Sequence, residues 1–259
     1  MLGTLLVKIA TYKEKSERVK SKIKKALTYP IAVIAVSTIV TAILLIKVVP
    51  VFDDMFKGFG ANLPAFTQMI VDMSDWMSAY WLYLFGSIGG TIFSFFHVLK
   101  RSKPLRDYCD KVMLTLPVIG PIVHKASLAR FARTLATMSA AGVPLIQSLD
   151  SVAKSAGNIV YTEAVYEIQA SVSTGIGLPS PMAVHDIFPS VAIQMTSIGE
   201  ESGALDSMLT KVADIYEDEV DDAVDNLSTL IEPFIMVFLG IVIGGLIIGM
   251  YLPIFKMVM

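Results

Sequence analysis

The 259-residue chain has a single cysteine, Cys109, which excludes an intrachain disulfide and a multi-cysteine metal cluster. Its three histidines, His97, His124 and His185, lie far apart and lack H-E-x-x-H or any other metal-ligand spacing. There is no G-x-x-x-x-G-K run closed by Ser or Thr, so nothing would cradle a triphosphate by the P-loop route, and nucleotide energy would have to come from a partner. Glu200 and Glu201 stand beside Ser202 and Gly203. Adjacent residues in a turn point apart, so helix capping and turn formation account for them better than an acid/base pair or a cation site. The expectation is a chain with no catalytic, cofactor or metal site, and so not an enzyme.

What the chain has in excess is apolar sequence. Hydrophobic residues make up 54% and the mean hydropathy is +0.64, too apolar for an ordinary soluble domain. Residues 31–49 form an apolar run interrupted only by Lys47, and 234–252 form another with no charge. Each would span about 28 Å as a helix, close to the roughly 30 Å hydrocarbon core. A third run, 77–98, has no Asp, Glu, Lys or Arg and opens at Trp76, Tyr80, Trp81 and Tyr83, an aromatic cluster of the kind that sits at a membrane interface. The expected spans are therefore 29–49, 77–98 and 231–252.

Basic residues set their orientation. Eight Lys or Arg lie between Lys8 and Lys25, Lys57 alone lies between the first two runs, and Lys100, Arg101, Lys103, Arg106 and Lys111 follow the second. By the positive-inside rule the first span leaves the cytoplasm and the second returns. Residues 1–28 and 100–228 are then cytoplasmic, while 50–76 and 253–259 lie outside. Met1 to Val7 is too short for the apolar core of a signal peptide, so the first span reads as an anchor.

From Pro104 to Ser228 apolar residues recur at three and four spacing, which predicts one antiparallel bundle of about six helices and makes the whole an all-α membrane protein. Pro117 to Pro121 breaks an entering helix, and Leu128, Phe131, Leu135 and Met138 stripe the next. Gly142-Val143-Pro144 closes that helix with a C-terminal Gly and restarts another with Pro in its first turn. Ala156 to Asn158, Gly175 to Pro181, Phe188-Pro189 and Gly199 to Gly203 punctuate the remainder.

Leu205, Met208, Leu209 and Val212 begin a last helix expected to run through an acidic stretch into the third span. Asp214, Glu217, Asp218, Asp221, Asp222 and Asp225 cover most of its circumference, so this part reads either as a solvated face or as an electrostatic docking surface. The basic Lys13 to Lys25 segment is the candidate counterpart. Within the span, Gly240, Gly244, Gly245 and Gly249 supply small-xxx-small pairs that allow another helix to approach closely, in the same chain or a neighbouring subunit.

One segment occurs twice at a fixed offset of 203 residues. Lys8, Ala10, Leu27, Pro30, Pro50 and Phe52 recur as Lys211, Ala213, Leu230, Pro233, Pro253 and Phe255. The pattern implies tandem copies of a helical domain with its anchor. The chain is then expected to start inside the first copy, and the two pre-span helices differ mainly in charge, basic in one and acidic in the other.

Lys22 to Pro30 before a span ending in Val48-Val49-Pro50 resembles the signature of the type II secretion F-protein family. So do Arg130-Phe131-Ala132-Arg133-Thr134-Leu135 followed by Gly142-Val143-Pro144-Leu145, Gly199 to Leu205, and Ile231-Glu232-Pro233. Phe59 to Thr67 resembles the pilus-assembly branch of that family more than the secretion branch. The resemblance implies a bacterial inner-membrane platform for type IV pilus biogenesis that lacks most of a first cytoplasmic domain. Its implied partners are the pilus assembly and retraction ATPases, pilins, other inner-membrane pilus subunits and further copies of itself. Membrane lipids suit the basic residues flanking the spans. Those residues lack the interleaved aromatics that single-stranded nucleic-acid binding uses, so no nucleic acid is expected. A secretion platform is the alternative within the family. A transporter or channel fits less well, because the spans carry no polar path beyond Lys47.

Overall fold

The computed structural model describes residues 21, 28–58 and 63–258, and among them it holds helices and no strands. These divide into two compact units, one built on Leu99–Leu227 and the other on the described residues up to Val98 together with those from Ser228. Three helices are long and apolar enough to cross a membrane: α1 (Thr28–Gly58), α2 (Ala65–Arg101) and the stretch Leu205–Pro253 of the final helix, α9 (Leu205–Val258).

In the membrane-type unit, α1 passes straight through Pro50. Pro has no N–H and ordinarily breaks a helix at this depth. Here the chain widens into a π turn over Leu44–Val48, in which the Val49 N–H bonds to the Leu44 carbonyl instead of that of Leu45. The next donor in that register would be Pro50, so the Leu45 carbonyl is left without a partner in its own helix. Ser74 of α2, fully buried, donates its hydroxyl to it. Leu45, Val49, Ile70, Val71 and Leu246 form the buried apolar cluster of this unit. Residues 50–76, expected as a connection between spans, thus hold the last turns of α1 and the first turns of α2.

The other unit is a helical bundle. Its helices are α3 (Lys103–Thr115), α4 (Ile119–Ala140), α5 (Leu145–Ser155), α6 (Ile159–Ser173), the single turn α7 (Pro179–Met182), α8 (Ser190–Ser202) and the first part of α9. α3 and α4 meet at 109° across the Pro117 break. α4, α5 and α6 then pack in succession, with α3 touching α4 and α6, and α7 bridging α6 and α8. The α4–α5 turn follows from its sequence. Gly142 takes φ +74°. Its N–H reaches Ser139 O and the Val143 N–H reaches Met138 O, the double bond of a Schellman cap. Pro144 stands one position earlier than expected, at the N-cap of α5 rather than inside its first turn.

Asn158 caps α6 by accepting from the Val160 N–H at 2.9 Å, and its amide donates to the Asp110 carbonyl of α3 at the same distance. Leu128, Phe131, Leu135, Leu149, Tyr161 and Ile168 fill the core, with Phe188 edge-on to Phe131 at 5.0 Å between centroids.

Candidate functional site: the acidic helix face and the glycine seam

The acidic stretch of α9 hides an apolar stripe. Leu209, Val212, Ala213, Tyr216, Val220 and Val224 are buried at three and four spacing, which is the pattern of a helix packed along one face. The acids therefore fall into two sets instead of ringing a solvated helix. Asp214 and Glu217 flank the buried stripe and converge on Arg133 of α4. Arg133 Nε and Nη2 each donate to one Glu217 carboxylate oxygen at 2.8 Å, and Nη2 also donates to Asp214 at 2.5 Å. The Arg133 side chain is only 12% exposed. Burial disfavours its charge, but the hydrogen bonds to Glu217 and Asp214 outweigh burial and hold the guanidinium above its usual value. Such a bidentate pair has both charge and geometry to fix one helix on another. Lys125 pairs with Glu219 at 3.0 Å along the same helix face.

Asp218 and Asp222, one turn apart, are exposed and carry no partner among the described residues. Asp221 and Asp225 do interact with neighbours. The Lys13 to Lys25 segment, their expected counterpart, lies outside the described residues apart from Ser21.

Arg130, three residues before Arg133, turns the other way. Its Nε donates to the Ala156 carbonyl at the end of α5 at 3.0 Å, and its Nη2 to Ser127 Oγ at 3.2 Å. Phe131 and Ala132 between the two arginines are buried in the core. The Arg-Phe-Ala-Arg run is thus a two-sided fastener around an apolar centre.

In the membrane-type unit the four glycines behave unequally. A Cβ on Gly249 would fall on the Ile70 side chain of α2, and one on Gly245 would lie 4.0 Å from Phe66, whereas Gly240 and Gly244 have nothing within 4 Å. The Gly249 carbonyl accepts from Thr67 Oγ1 at 2.7 Å, a buried bond between α9 and α2. Of the four, Gly249 is the one at which α9 and α2 approach too closely for a side chain. Beside this seam, buried Asp53 gives one carboxylate oxygen to Lys57 at 2.6 Å, and its other oxygen has no hydrogen-bond partner.

The remaining polar candidates make contacts within the helices described. Glu200 reaches from α8 to the start of α7, where both carboxylate oxygens accept from the Leu178 N–H, at 3.1 and 3.3 Å; Glu201 accepts from Ser197. His97 stacks on Phe93, His185 lies 3.6 Å from Glu167, and His124 meets buried Tyr161. The Tyr161 hydroxyl is 3.0 Å from His124 Nδ1 and donates within 3.2 Å of the His124 and Ile187 carbonyls. Burial, with Lys125 adding to it, pushes the His124 imidazole below its usual value, and burial pushes the Tyr161 hydroxyl up. No group of three or more His, Cys, Asp or Glu suited to a metal occurs among the described residues.

The family model for type II secretion system protein F matches residues 1–50 and 131–253. The chain belongs to that family. The second matched stretch begins at Phe131, inside the fastener, and runs to Pro253 beyond the glycine seam. The chain is 57% identical over 256 residues to the type IV pilus assembly protein PilC of Pseudomonas aeruginosa, an alignment covering 99% of this chain and 68% of that relative. It is 51% identical to the type IV pilus assembly protein TapC of Aeromonas hydrophila, covering 99% of this chain and 62% of that protein. Identity to the type II secretion system protein F of Pseudomonas aeruginosa is 31%, over 85% of this chain and 54% of the relative. The chain thus spans roughly three-fifths to two-thirds of the length of these pilus relatives.

Proposed function

We propose that this chain is the membrane and second cytoplasmic portion of an inner-membrane assembly platform for type IV pili, one that couples the motion of cytoplasmic ATPases to pilin insertion or extraction. The observation that carries the reading is a contrast inside one organism. The Pseudomonas aeruginosa relative named for pilus assembly is 57% identical, and the one named for secretion is 31% identical. Both align with most of this chain, so the gap is read as one between branches of a single family.

In this reading α1, α2 and α9 cross the inner membrane, the distribution of Lys and Arg holds the Leu99–Leu227 unit in the cytoplasm, and the role is mechanical, with no chemistry of its own. The exposed pair Asp218 and Asp222 is the docking surface for a basic partner, while Asp214 and Glu217 are committed to Arg133. Gly249 holds α9 on α2, and Gly240 and Gly244 leave backbone open to a neighbouring subunit.

The test replaces the 256 aligned residues of the Pseudomonas aeruginosa pilus relative with those of this chain, in a strain lacking that relative. Surface pili and twitching motility are expected to return. A chimaera that inserts in the membrane, leaves the cells bald and instead restores secretion in a strain lacking protein F would assign the chain to the secretion branch.

A further inference from the structure

Lys47 is the one charged residue within the apolar run 31–49. It sits in the π turn of α1, a wide turn of a kind often found at functional positions. It is exposed and makes no ion pair or hydrogen bond among the described residues. Below it, α1 and α2 leave a groove of about 490 Å³ walled by Ile39, Ile43, Ile46, Trp81 and Phe85.

The two helices fix the direction of that groove. Ser74 is bonded to Leu45, and the later residues Trp81 and Phe85 of α2 line one groove with the earlier residues Ile39 and Ile43 of α1, so the helices run antiparallel. Ile39 lies eight residues from Lys47, about 12 Å along α1, and Trp81 lies seven residues past Ser74, about 10 Å along α2 in the same direction. The cation stands at one end and the aromatic rings at the other, with only apolar wall between them, so Trp81 lies deeper than the interface position expected of its aromatic cluster.

We propose that this groove is a binding site for one anionic phospholipid, its phosphate on Lys47 and an acyl chain lying along Ile46, Ile43 and Ile39 onto Trp81 and Phe85. A lysine near the end of a span extends its ammonium to headgroup depth, where an anionic headgroup supplies the missing counter-charge. The apolar wall below suits a hydrocarbon chain and offers nothing to a polar ligand. The site rests on the reading of α1 and α2 as membrane spans.

Trp81 is itself the reporter. The chain has two tryptophans, Trp76 and Trp81, so the full chain carrying Trp76→Phe has a single indole, in the groove. It is reconstituted in phosphatidylcholine vesicles with increasing amounts of acyl-brominated phosphatidylglycerol or, separately, acyl-brominated phosphatidylcholine. Quenching is expected at roughly fivefold lower mole fraction of the anionic lipid. Lys47→Gln should abolish that preference, Lys47→Arg should keep it, and Lys100→Gln, exposed at the far end of α2 and outside the groove, should leave it unchanged. Equal quenching by both lipids, or a preference that survives Lys47→Gln, overturns the site while leaving the membrane spans intact; a carboxylate on a partner's membrane helix is then the counter-charge. No quenching by either lipid overturns the site together with the membrane reading beneath it.

Discussion

Ser74 donates its hydroxyl to the carbonyl of Leu45, the acceptor stranded by the π turn ahead of Pro50. The bond pins α2 to α1 at one register, since no other position on α1 combines a π turn with a following proline among the described residues. Ser74→Ala would leave a buried carbonyl unsatisfied, a loss of about 1–3 kcal/mol. Thermal unfolding in detergent should fall accordingly. Ser87→Ala, whose hydroxyl bonds only to Leu84 within its own exposed turn, should leave the transition where it is.

Gly249 and Gly240 separate close packing from mere abundance of glycine in a span. Gly249→Leu places atoms where Ile70 and Phe66 already lie, an overpacking cost of about 1–3 kcal/mol. Gly240→Ala meets open space and should be neutral. Both are read by thermal melts of the detergent-solubilised chain, and equal effects would mean that α9 does not seat on α2 through Gly249.

Arg133→Gln leaves the largely buried Glu217 carboxylate without its cation. Breaking a fully buried pair costs about 3–5 kcal/mol; Asp214 is 47% exposed, so roughly 2–3 kcal/mol is expected. Arg133→Lys should recover only part of it, because an ammonium cannot reproduce the paired Nε and Nη2 bonds. Limited proteolysis should cut variant bundles at protease concentrations that spare the wild-type chain.

Reversing Asp218 and Asp222 to Lys tests the docking surface without touching the clamp. Expression, membrane insertion and melting temperature should match the parent, and piliation should be lost in the complementation strain. Normal piliation would remove these two carboxylates from the coupling pathway.

The His124 imidazole is held low, so its folded form resists protonation while the unfolded chain takes up a proton near the ordinary value of 6.5. The neutral group's stabilising contribution is whole above that value and declines as pH falls toward the depressed folded value. His124→Gln should flatten the part of the melting profile that falls between pH 7 and pH 5.

Much of this architecture is legible in the sequence because apolar periodicity and turn residues act locally. The hairpin at Gly142 and the break at Pro117 follow from single-residue conformational limits, and the three apolar runs from length. The apolar stripe of α9 was present as Leu209, Val212, Tyr216, Val220 and Val224, but a dense overlay of carboxylates conceals it from a reading based on charge. The partner of Arg133, 81 and 84 residues away, and the pairing of Ser74 with Leu45 were not legible. Each depends on which helix faces come together, and no local pattern encodes that. Pro50 was the available hint: a proline inside a span predicts an orphaned carbonyl, and a buried serine is a common remedy.

The fastener around Phe131 also bears on how sequences of this kind should be compared. Arg130 and Arg133 stand in a run that resembles the family, yet both spend their guanidinium groups inside the bundle, on Ala156, Glu217 and Asp214. A homologue that keeps them declares a shared scaffold and is silent about what that scaffold assembles. Divergence worth following between pilus and secretion lineages therefore belongs to outward-facing positions such as Asp218, Asp222 and Lys47, where a change of cargo can be accommodated without loosening a helix.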